Sequence, residues 1–86
     1  MSILIEIYTG PMCSYCEKAK ELLKKKGLNY NEIELDKNPE KRKEMLKRTN
    51  GKMTIPQIFI NDIYIGGFQE LNYFEISGKL NKILTN

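Results

Sequence analysis

Two cysteines separated by two residues, Cys13 and Cys16, constrain the fold of this chain most strongly, and they are its only cysteines. They follow a strand-like apolar run, residues 3–8, and a short breaker, residues 9–11, and they begin a helix-like segment, residues 14–26. Side chains three positions apart share one helix face, so the two sulfur atoms can form a disulfide or lie together as thiols. This spacing at a strand-to-helix junction indicates a redox-active dithiol.

The position of each cysteine predicts its chemical role. Cys13 falls at the start of the helix, where unpaired backbone N–H groups and the positive end of the helix dipole favour an anion. Such surroundings lower the pKa of a cysteine thiol, and the thiolate is the nucleophile. Cys16 lies within the first turn and should be less accessible. We therefore expect Cys13 to attack a substrate disulfide and Cys16 to resolve the intermediate.

Two other interpretations of the cysteine pair are weaker. A structural zinc site needs about four ligands, and the chain offers two cysteines and no histidine. A metal would therefore need carboxylates or a second chain, and none is predicted to be required. The lack of histidine also excludes a Cys-His catalytic pair. Buried cysteines often act as small apolar residues, but the spacing and the strand-to-helix location make an inert pair the poorer explanation.

Length and composition predict a single globular domain over residues 1–86. The chain is too short for two cores, and its 41% apolar and 29% charged residues are ordinary for a soluble protein. No apolar run approaches the about 20 residues of a membrane span. The first residues lack the basic and small-residue pattern of a signal peptide. We therefore expect a cytoplasmic location, where thiols are kept reduced.

The formal net charge is +3, and the basic residues concentrate in residues 18–26 and 41–48. Such clusters can mark a nucleic-acid or membrane surface. Glutamates interleave with the lysines in both segments, however, which is more typical of the solvated faces of two helices. We therefore predict no nucleic-acid or membrane partner. The mild positive field would still suit small anionic substrates.

Hydrophobic patterning in the first half of the chain predicts a βαβ unit. The apolar run at residues 3–8 suits a strand buried on both faces, and the helix at residues 14–26 ends at a glycine. Residues 29–35 alternate as a second strand. A second helix is predicted to begin at Asn38, its N-cap, with a proline in the first turn, and to run to about Thr49. A βαβ unit makes the first two strands parallel with a right-handed crossover.

The second half predicts a hairpin and a final helical region. Two apolar strands, residues 57–60 and 63–65, flank a two-residue turn at 61–62. The last helical region is interrupted at Gly78. The element order is thus β-α-β-α-β-β-α, an α/β fold with a mixed sheet and helices on both faces.

Three stretches in this order and spacing resemble the glutaredoxin family, especially its small bacterial dithiol members. They are Ile-Tyr-Thr before Cys-Ser-Tyr-Cys within residues 7–16, Thr-Ile-Pro-Gln-Ile-Phe-Ile at 54–60 and Gly-Gly-Phe-Gln-Glu-Leu at 66–71. The cysteine spacing alone is weakly specific, whereas the three together are strongly specific. The resemblance implies a thioredoxin-like fold with a four-stranded mixed sheet. It also implies reduction of protein disulfides and protein–glutathione mixed disulfides, with glutathione as co-substrate.

The resemblance also implies a glutathione site beside Cys13 and Cys16. Its residues would be Tyr15, Arg42, Thr54, Ile55, Pro56, Gly67, Phe68 and Gln69. Pro56 corresponds to the family's cis-proline, and the Ile55 backbone would pair with the cysteine of glutathione. The start of the last helix would bind the γ-glutamyl carboxylate, which agrees with the affinity of helix N-termini for anions. Arg42 would hold the glycine carboxylate.

Departures from the family pattern keep two alternative functions open. Ser14 stands where proline is usual, and some members with serine there hold a [2Fe-2S] cluster between two subunits, with glutathione as co-ligand. Gly10 stands where many members have lysine, which leaves room for a redoxin served by thioredoxin reductase. Phe68 and Gln69 replace the more usual cysteine and aspartate. The partners implied by the resemblance are glutathione and glutathionylated or disulfide-containing proteins, with ribonucleotide reductase as a candidate, and the chain is expected to be a monomer.

Overall fold

The computed structural model describes residues 3–85, so the two ends of the predicted domain, residues 1–2 and residue 86, lie outside it. Its elements are β1 Ile5–Thr9, α1 Ser14–Lys25, β2 Asn31–Glu34, α2 Lys41–Arg48, β3 Gln57–Ile60, β4 Ile63–Gly66, α3 Phe68–Ser77 and α4 Lys79–Thr85. The predicted order is therefore confirmed. The last helical region is divided at Gly78, which adopts a left-handed conformation with φ 83°. No helix within residues 3–85 is long and apolar enough to cross a membrane.

The four strands form one mixed sheet in the order β2-β1-β3-β4. Strand β1 is parallel to β2 and antiparallel to β3, and β3 is antiparallel to β4. The two turn residues of the hairpin, Asn61 and Asp62, have φ values of 51° and 66°, as a type I′ turn requires. The predicted four-stranded mixed sheet is therefore confirmed.

The alternation of side chains along β1 and β3 places a separate core on each face of the sheet. The core under α1, α3 and α4 contains Ile5, Ile7, Ala19, Leu23, Ile58, Ile60, Ile65, Leu71 and Leu80. The core under α2 contains Tyr8, Leu35, Met45 and Phe59. Helices thus cover both faces, and the loops that leave β1 and precede β3 meet at one end of the molecule.

The predicted start of α2 is wrong. The helix begins at Lys41, and the residue before it, Glu40, has helical backbone angles and makes no side-chain cap. The side chain of Asn38, predicted as the N-cap, instead donates a hydrogen bond to the backbone carbonyl of Glu34 (3.2 Å). The backbone N–H of Lys41 bonds the carbonyl of Asn38 (2.9 Å). Asn38 therefore closes the turn after β2, and the helix begins after two further turn residues, 39 and 40.

A polar network crosses the core face that α2 covers. The hydroxyl of Tyr8, a fully buried residue, donates to the carboxylate of Glu44 and accepts a hydrogen bond from Arg48 (3.0 Å). Arg48 also donates to Glu6 (2.9 Å) and Asp62 (3.3 Å). Burial and the hydrogen bond to Glu44 raise the pKa of Tyr8 to about 12. The network thus satisfies a buried hydroxyl and ties α2 to the sheet.

Replacement of Tyr8 by phenylalanine is expected to lower the free energy of unfolding by about 1–2 kcal/mol at pH 7, because a charge-assisted hydrogen bond is lost. The hydrogen bond from Tyr8 is the main cause that holds the pKa of Glu44 below its usual range. A lowered carboxyl pKa contributes stability that disappears as the pH falls through it. The difference between the variant and the wild type should therefore shrink below about pH 4. Urea unfolding at pH 7 and pH 3 measures it, with Tyr73→Phe, an exposed tyrosine, as the control.

Candidate functional site

The two cysteines lie at the N-terminus of α1 and are joined as a disulfide, with their Cα atoms 5.2 Å apart. Cys13 is the N-cap residue in an extended conformation, and its Sγ accepts the backbone N–H of Cys16 (3.1 Å). Cys16 is 1% exposed, whereas Cys13 is partly exposed. The more accessible cysteine is therefore Cys13, as its predicted role requires.

The loop before β3 lies directly beside the dithiol. The Ile55 carbonyl oxygen is 3.9 Å from the Sγ of Cys13, and the Ile55–Pro56 peptide bond is cis, as the resemblance implied. On the other side of this loop, a Cβ added at Gly10 would come within 2.7 Å of the Ile55 Cδ1 atom. A lysine at position 10 would therefore require the Ile55 side chain to move.

A groove of about 590 Å³ lies between the loop before β3 and the start of α3, and Tyr15 and Ile55, which neighbour the dithiol, line it. Seven of the eight residues predicted to bind glutathione line it: Tyr15, Thr54, Ile55, Pro56, Gly67, Phe68 and Gln69. The groove is also lined by residues that were not predicted to bind glutathione: Lys52, Gln57, Tyr64, Ile65, Gly66 and Glu70. Arg42 is exposed on α2 and does not line the groove.

Lys52 places a cation in the lining of the groove, where the sequence prediction had expected Arg42. The backbone N–H of Lys52 donates to the hydroxyl of Thr49 (3.0 Å), and that hydroxyl donates to the Met45 carbonyl at the end of α2 (2.8 Å). Thr49 is 3% exposed, so a buried side chain fixes the course of the loop. The sequence feature that could have indicated Lys52 is its position as a basic residue two positions before Thr54.

The start of α3 presents backbone N–H groups to the groove. The N–H of Gly67, the N-cap, donates to the Glu70 carboxylate (2.7 Å). The N–H groups of Phe68 and Gln69, the first two helical residues, have no acceptor in the part of the chain that the structure describes. Free N–H groups in the first turn favour an anion. Gly66 has φ 118°, and a Cβ there would meet the Glu70 side chain at 2.9 Å, so this turn requires glycine.

Two aromatic rings form the apolar wall next to the dithiol. The rings of Tyr15 on α1 and Phe68 on α3 are stacked, with centroids 6.0 Å apart and an interplanar angle of 15°. The Lys18 ammonium lies 5.4 Å from the centroid of the Tyr15 ring. The wall therefore joins the helix that carries the cysteines to the helix that presents free N–H groups. Residues 3–85 contain no group of three or more His, Cys, Asp or Glu residues that could hold a metal ion.

Comparison with known proteins identifies the family. The sequence model described as Glutaredoxin matches residues 5–65. The chain belongs to the glutaredoxin family. It is 45% identical over 80 residues to Glutaredoxin 3 of Escherichia coli K12, covering 93% of this chain and 95% of that protein. The thioredoxin-like fold and the redox-active cysteine pair expected of a glutaredoxin are confirmed.

Two solved glutaredoxins share this architecture. The solution structure of glutaredoxin from Brucella melitensis is 44% identical, with a TM-score of 0.79, and the match covers 98% of this chain and 91% of that one. Buckwheat glutaredoxin, crystallised as a complex with glutathione, is 30% identical, with a TM-score of 0.84 and coverage of 94% and 76%. Glutaredoxins are generally oxidoreductases, and the arrangement of an accessible cysteine beside a groove suits that chemistry.

Proposed function

We propose that this member of the glutaredoxin family is a glutathione-dependent thiol–disulfide oxidoreductase. It would reduce protein disulfides and protein–glutathione mixed disulfides. The observation that supports this most directly is that the Cys13 Sγ lies 3.9 Å from the carbonyl oxygen of Ile55, a residue of the groove. The same groove is lined by a cation, Lys52, and by the start of α3 with its free N–H groups. Glutathione offers one sulfur and two carboxylates, and the buckwheat relative was solved with glutathione bound.

Within the groove, each part of glutathione has a complementary group. The γ-glutamyl carboxylate would accept hydrogen bonds from the N–H groups of Phe68 and Gln69. The peptide backbone would pair with Ile55 in the manner of an added strand. The glycine carboxylate would approach Lys52. This pose leaves the glutathione sulfur next to Cys13, since the Ile55 carbonyl oxygen is 3.9 Å from the Cys13 Sγ.

Deglutathionylation would proceed through two thiol–disulfide exchanges. The Cys13 thiolate attacks the glutathionyl sulfur of the substrate, forms a disulfide with glutathione and breaks the mixed disulfide, and the protein sulfur leaves as a thiolate that takes up a proton. A second glutathione thiolate then attacks the adduct, which releases oxidised glutathione and restores the Cys13 thiolate. Each cycle consumes one glutathione thiol, and the other half of the oxidised glutathione is the glutathionyl group of the substrate. The Cys16 N–H, 3.1 Å from the Cys13 Sγ, stabilises the thiolate in each step.

Reduction of a protein disulfide would require Cys16 as well. Cys13 forms a mixed disulfide with the protein, and the Cys16 thiolate attacks the Cys13 sulfur. The substrate leaves as a dithiol, and the Cys13–Cys16 disulfide forms, as in the structure. Two glutathione molecules later reopen that disulfide. We place this activity in the cytoplasm, in a monomeric protein of one domain, with ribonucleotide reductase as a candidate substrate.

A coupled assay on a glutathionylated peptide tests the proposal. Reduced glutathione with glutathione reductase and NADPH should support turnover, and thioredoxin reductase with NADPH should not. Turnover with thioredoxin reductase alone would favour the alternative redoxin function. The iron–sulfur alternative rests on Ser14, and anaerobic reconstitution with iron and sulfide tests it. A brown protein with visible absorbance would favour that alternative, and a colourless one would favour the oxidoreductase.

Replacement of Lys52 by glutamine is expected to raise the KM for glutathione about two- to fivefold, with little change in kcat, because an exposed ion pair is worth up to about 1 kcal/mol. Arg42→Gln is the matched control, since it removes the same charge outside the groove. The effect of Lys52→Gln should weaken with added salt. If Arg42→Gln raised the KM for glutathione more than Lys52→Gln did, the glycine carboxylate would be bound by Arg42, as the family resemblance indicated.

A further inference from the structure

The side chain of Gln57, the first residue of β3, is 3% exposed and has hydrogen bonds on both ends of its amide. Its Nε2 donates to the Thr54 carbonyl oxygen (2.8 Å) and contacts the Thr54 hydroxyl (3.1 Å). Its Oε1 accepts the hydroxyl hydrogen of Tyr64 on β4 (2.6 Å). A buried amide thus connects an edge strand to the loop beside the dithiol.

The hydroxyl of Tyr64 holds the amide in one orientation. A primary amide can turn by 180° and exchange its donor and acceptor ends. The Thr54 carbonyl oxygen can only accept, so it takes the NH₂ group of Gln57, and the Tyr64 hydroxyl then donates to Oε1 and holds the amide in this orientation. Tyr64 itself is held by packing, with its ring 5.1 Å from that of Phe59. Burial and the Glu70 carboxylate raise the pKa of Tyr64, so the hydroxyl keeps its proton at neutral pH.

The orientation of Gln57 also fixes the next peptide unit. In a planar trans peptide, the C=O and the following N–H point in opposite directions. The Thr54 carbonyl is turned towards buried Gln57, so the Ile55 N–H points away from it. Ile55 lines the groove, and its N–H has no acceptor in the part of the chain that the structure describes.

We propose that Tyr64 and Gln57 are positioning residues that aim the Ile55 N–H into the groove, where it donates to the backbone of the bound glutathionyl group. This role rests on the proposed function, because it concerns the same groove. Gln57 also lines the groove, but it is 3% exposed and its amide is engaged by Thr54 and Tyr64, so it acts through Thr54. Tyr64 acts through Gln57, although its ring also lines the groove.

Replacement of Tyr64 by phenylalanine removes the hydroxyl and keeps the ring. The KM for a glutathionylated peptide should rise about three- to tenfold, as expected for one hydrogen bond, while kcat stays within about twofold. The pH profile of Cys13 alkylation by iodoacetamide should not move, because the thiolate keeps the Cys16 N–H. Tyr73→Phe is the matched control and should change none of these. A KM within about twofold of the control would overturn the proposal.

A double-mutant cycle separates positioning from direct contact. Gln57→Met removes the hydrogen bonds of the amide with Thr54 and with Tyr64 and keeps a side chain of similar length, and it should raise KM at least as much as Tyr64→Phe. If Tyr64 acts through Gln57, adding Tyr64→Phe to the Gln57→Met background should change KM by less than about twofold. Effects that multiply would mean that Tyr64 touches the ligand itself, and the proposal would be wrong.

Amide hydrogen exchange tests the positioning without any turnover. The exchange rate of the Ile55 N–H, measured by NMR on the substrate-free protein, should change about threefold or more in Tyr64→Phe and remain at the wild-type value in Tyr73→Phe. Equal rates in the three proteins would overturn the positioning role. The two proposals can fail separately. If the wild type did not use glutathione but the Ile55 N–H exchange rate still differed between Tyr64→Phe and the wild type, the proposed function would fail and the positioning of Ile55 would stand.

Discussion

Replacement of Cys13 by serine is expected to abolish both deglutathionylation and protein disulfide reduction, with a loss of at least about a thousandfold, as for other essential nucleophiles. A serine hydroxyl stays protonated at neutral pH and does not form the mixed disulfide on which both reactions depend. The other thiol, Cys16, is 1% exposed and cannot take over the attack on a bulky substrate. The measurement is the glutathione-coupled turnover of a glutathionylated peptide and of a protein disulfide.

The control for this prediction is Cys16→Ser, because both variants lose the Cys13–Cys16 disulfide and only one loses the proposed nucleophile. If Cys13→Ser is inactive and Cys16→Ser still removes glutathione from the peptide, the loss belongs to the nucleophile and not to the missing disulfide. Retention of deglutathionylation by Cys13→Ser would assign the attack to another residue.

The features that the sequence predicted correctly depend on short stretches of chain. The spacing of Cys13 and Cys16, the glycine that ends α1 and the two turn residues of the hairpin each act within a few residues of their own position. The alternation of apolar residues in β1 and β3 determines which face each residue takes. The dithiol therefore sits where the strand-to-helix pattern placed it, and most of the groove lining follows from the three family stretches.

The features that the sequence did not predict depend on contacts between distant elements. The observed start of α2 differs from the predicted one because the Asn38 side chain donates a hydrogen bond to the Glu34 carbonyl instead of capping a helix. Lys52 reaches the groove because the buried Thr49 hydroxyl fixes its backbone. Neither the periodicity nor the composition of a loop reports such contacts, and the choice between Arg42 and Lys52 is a matter of three-dimensional position.

The packing on the α2 face also supports one wall of the groove. The Arg48 guanidinium lies over the ring of Phe59 at 3.8 Å, and that ring packs against Tyr64 at 5.1 Å. Arg48 is held in turn by Glu6 and Tyr8. The polar network therefore fixes the aromatic surface that positions the Tyr64 hydroxyl. The packing that stabilises the α2 face is thus connected to the position of the loop beside the dithiol through Arg48, Phe59 and Tyr64.

Replacement of Cys16 by serine is expected to separate the two reactions. Deglutathionylation should stay within about threefold of the wild type, because it uses one protein thiol and external glutathione resolves the adduct. The Cys16 backbone N–H that contacts the Cys13 Sγ (3.1 Å) is also retained. Reduction of a protein disulfide should fall by at least about tenfold, since it depends on an intramolecular thiol whose effective concentration is far above that of free glutathione.

The two turnover assays, run on the same protein preparations, measure the loss of each reaction. The disulfides that accumulate on the protein show which step is blocked. Cys16→Ser should accumulate a mixed disulfide between Cys13 and the protein substrate, visible by non-reducing electrophoresis, which added glutathione slowly clears. The wild type should show the Cys13–Cys16 disulfide instead. Equal loss of both activities, with no accumulated mixed disulfide, would contradict the division of roles. Cys16 would then matter for the structure of the first turn of α1, where it is buried beneath Cys13, rather than for the release of the substrate.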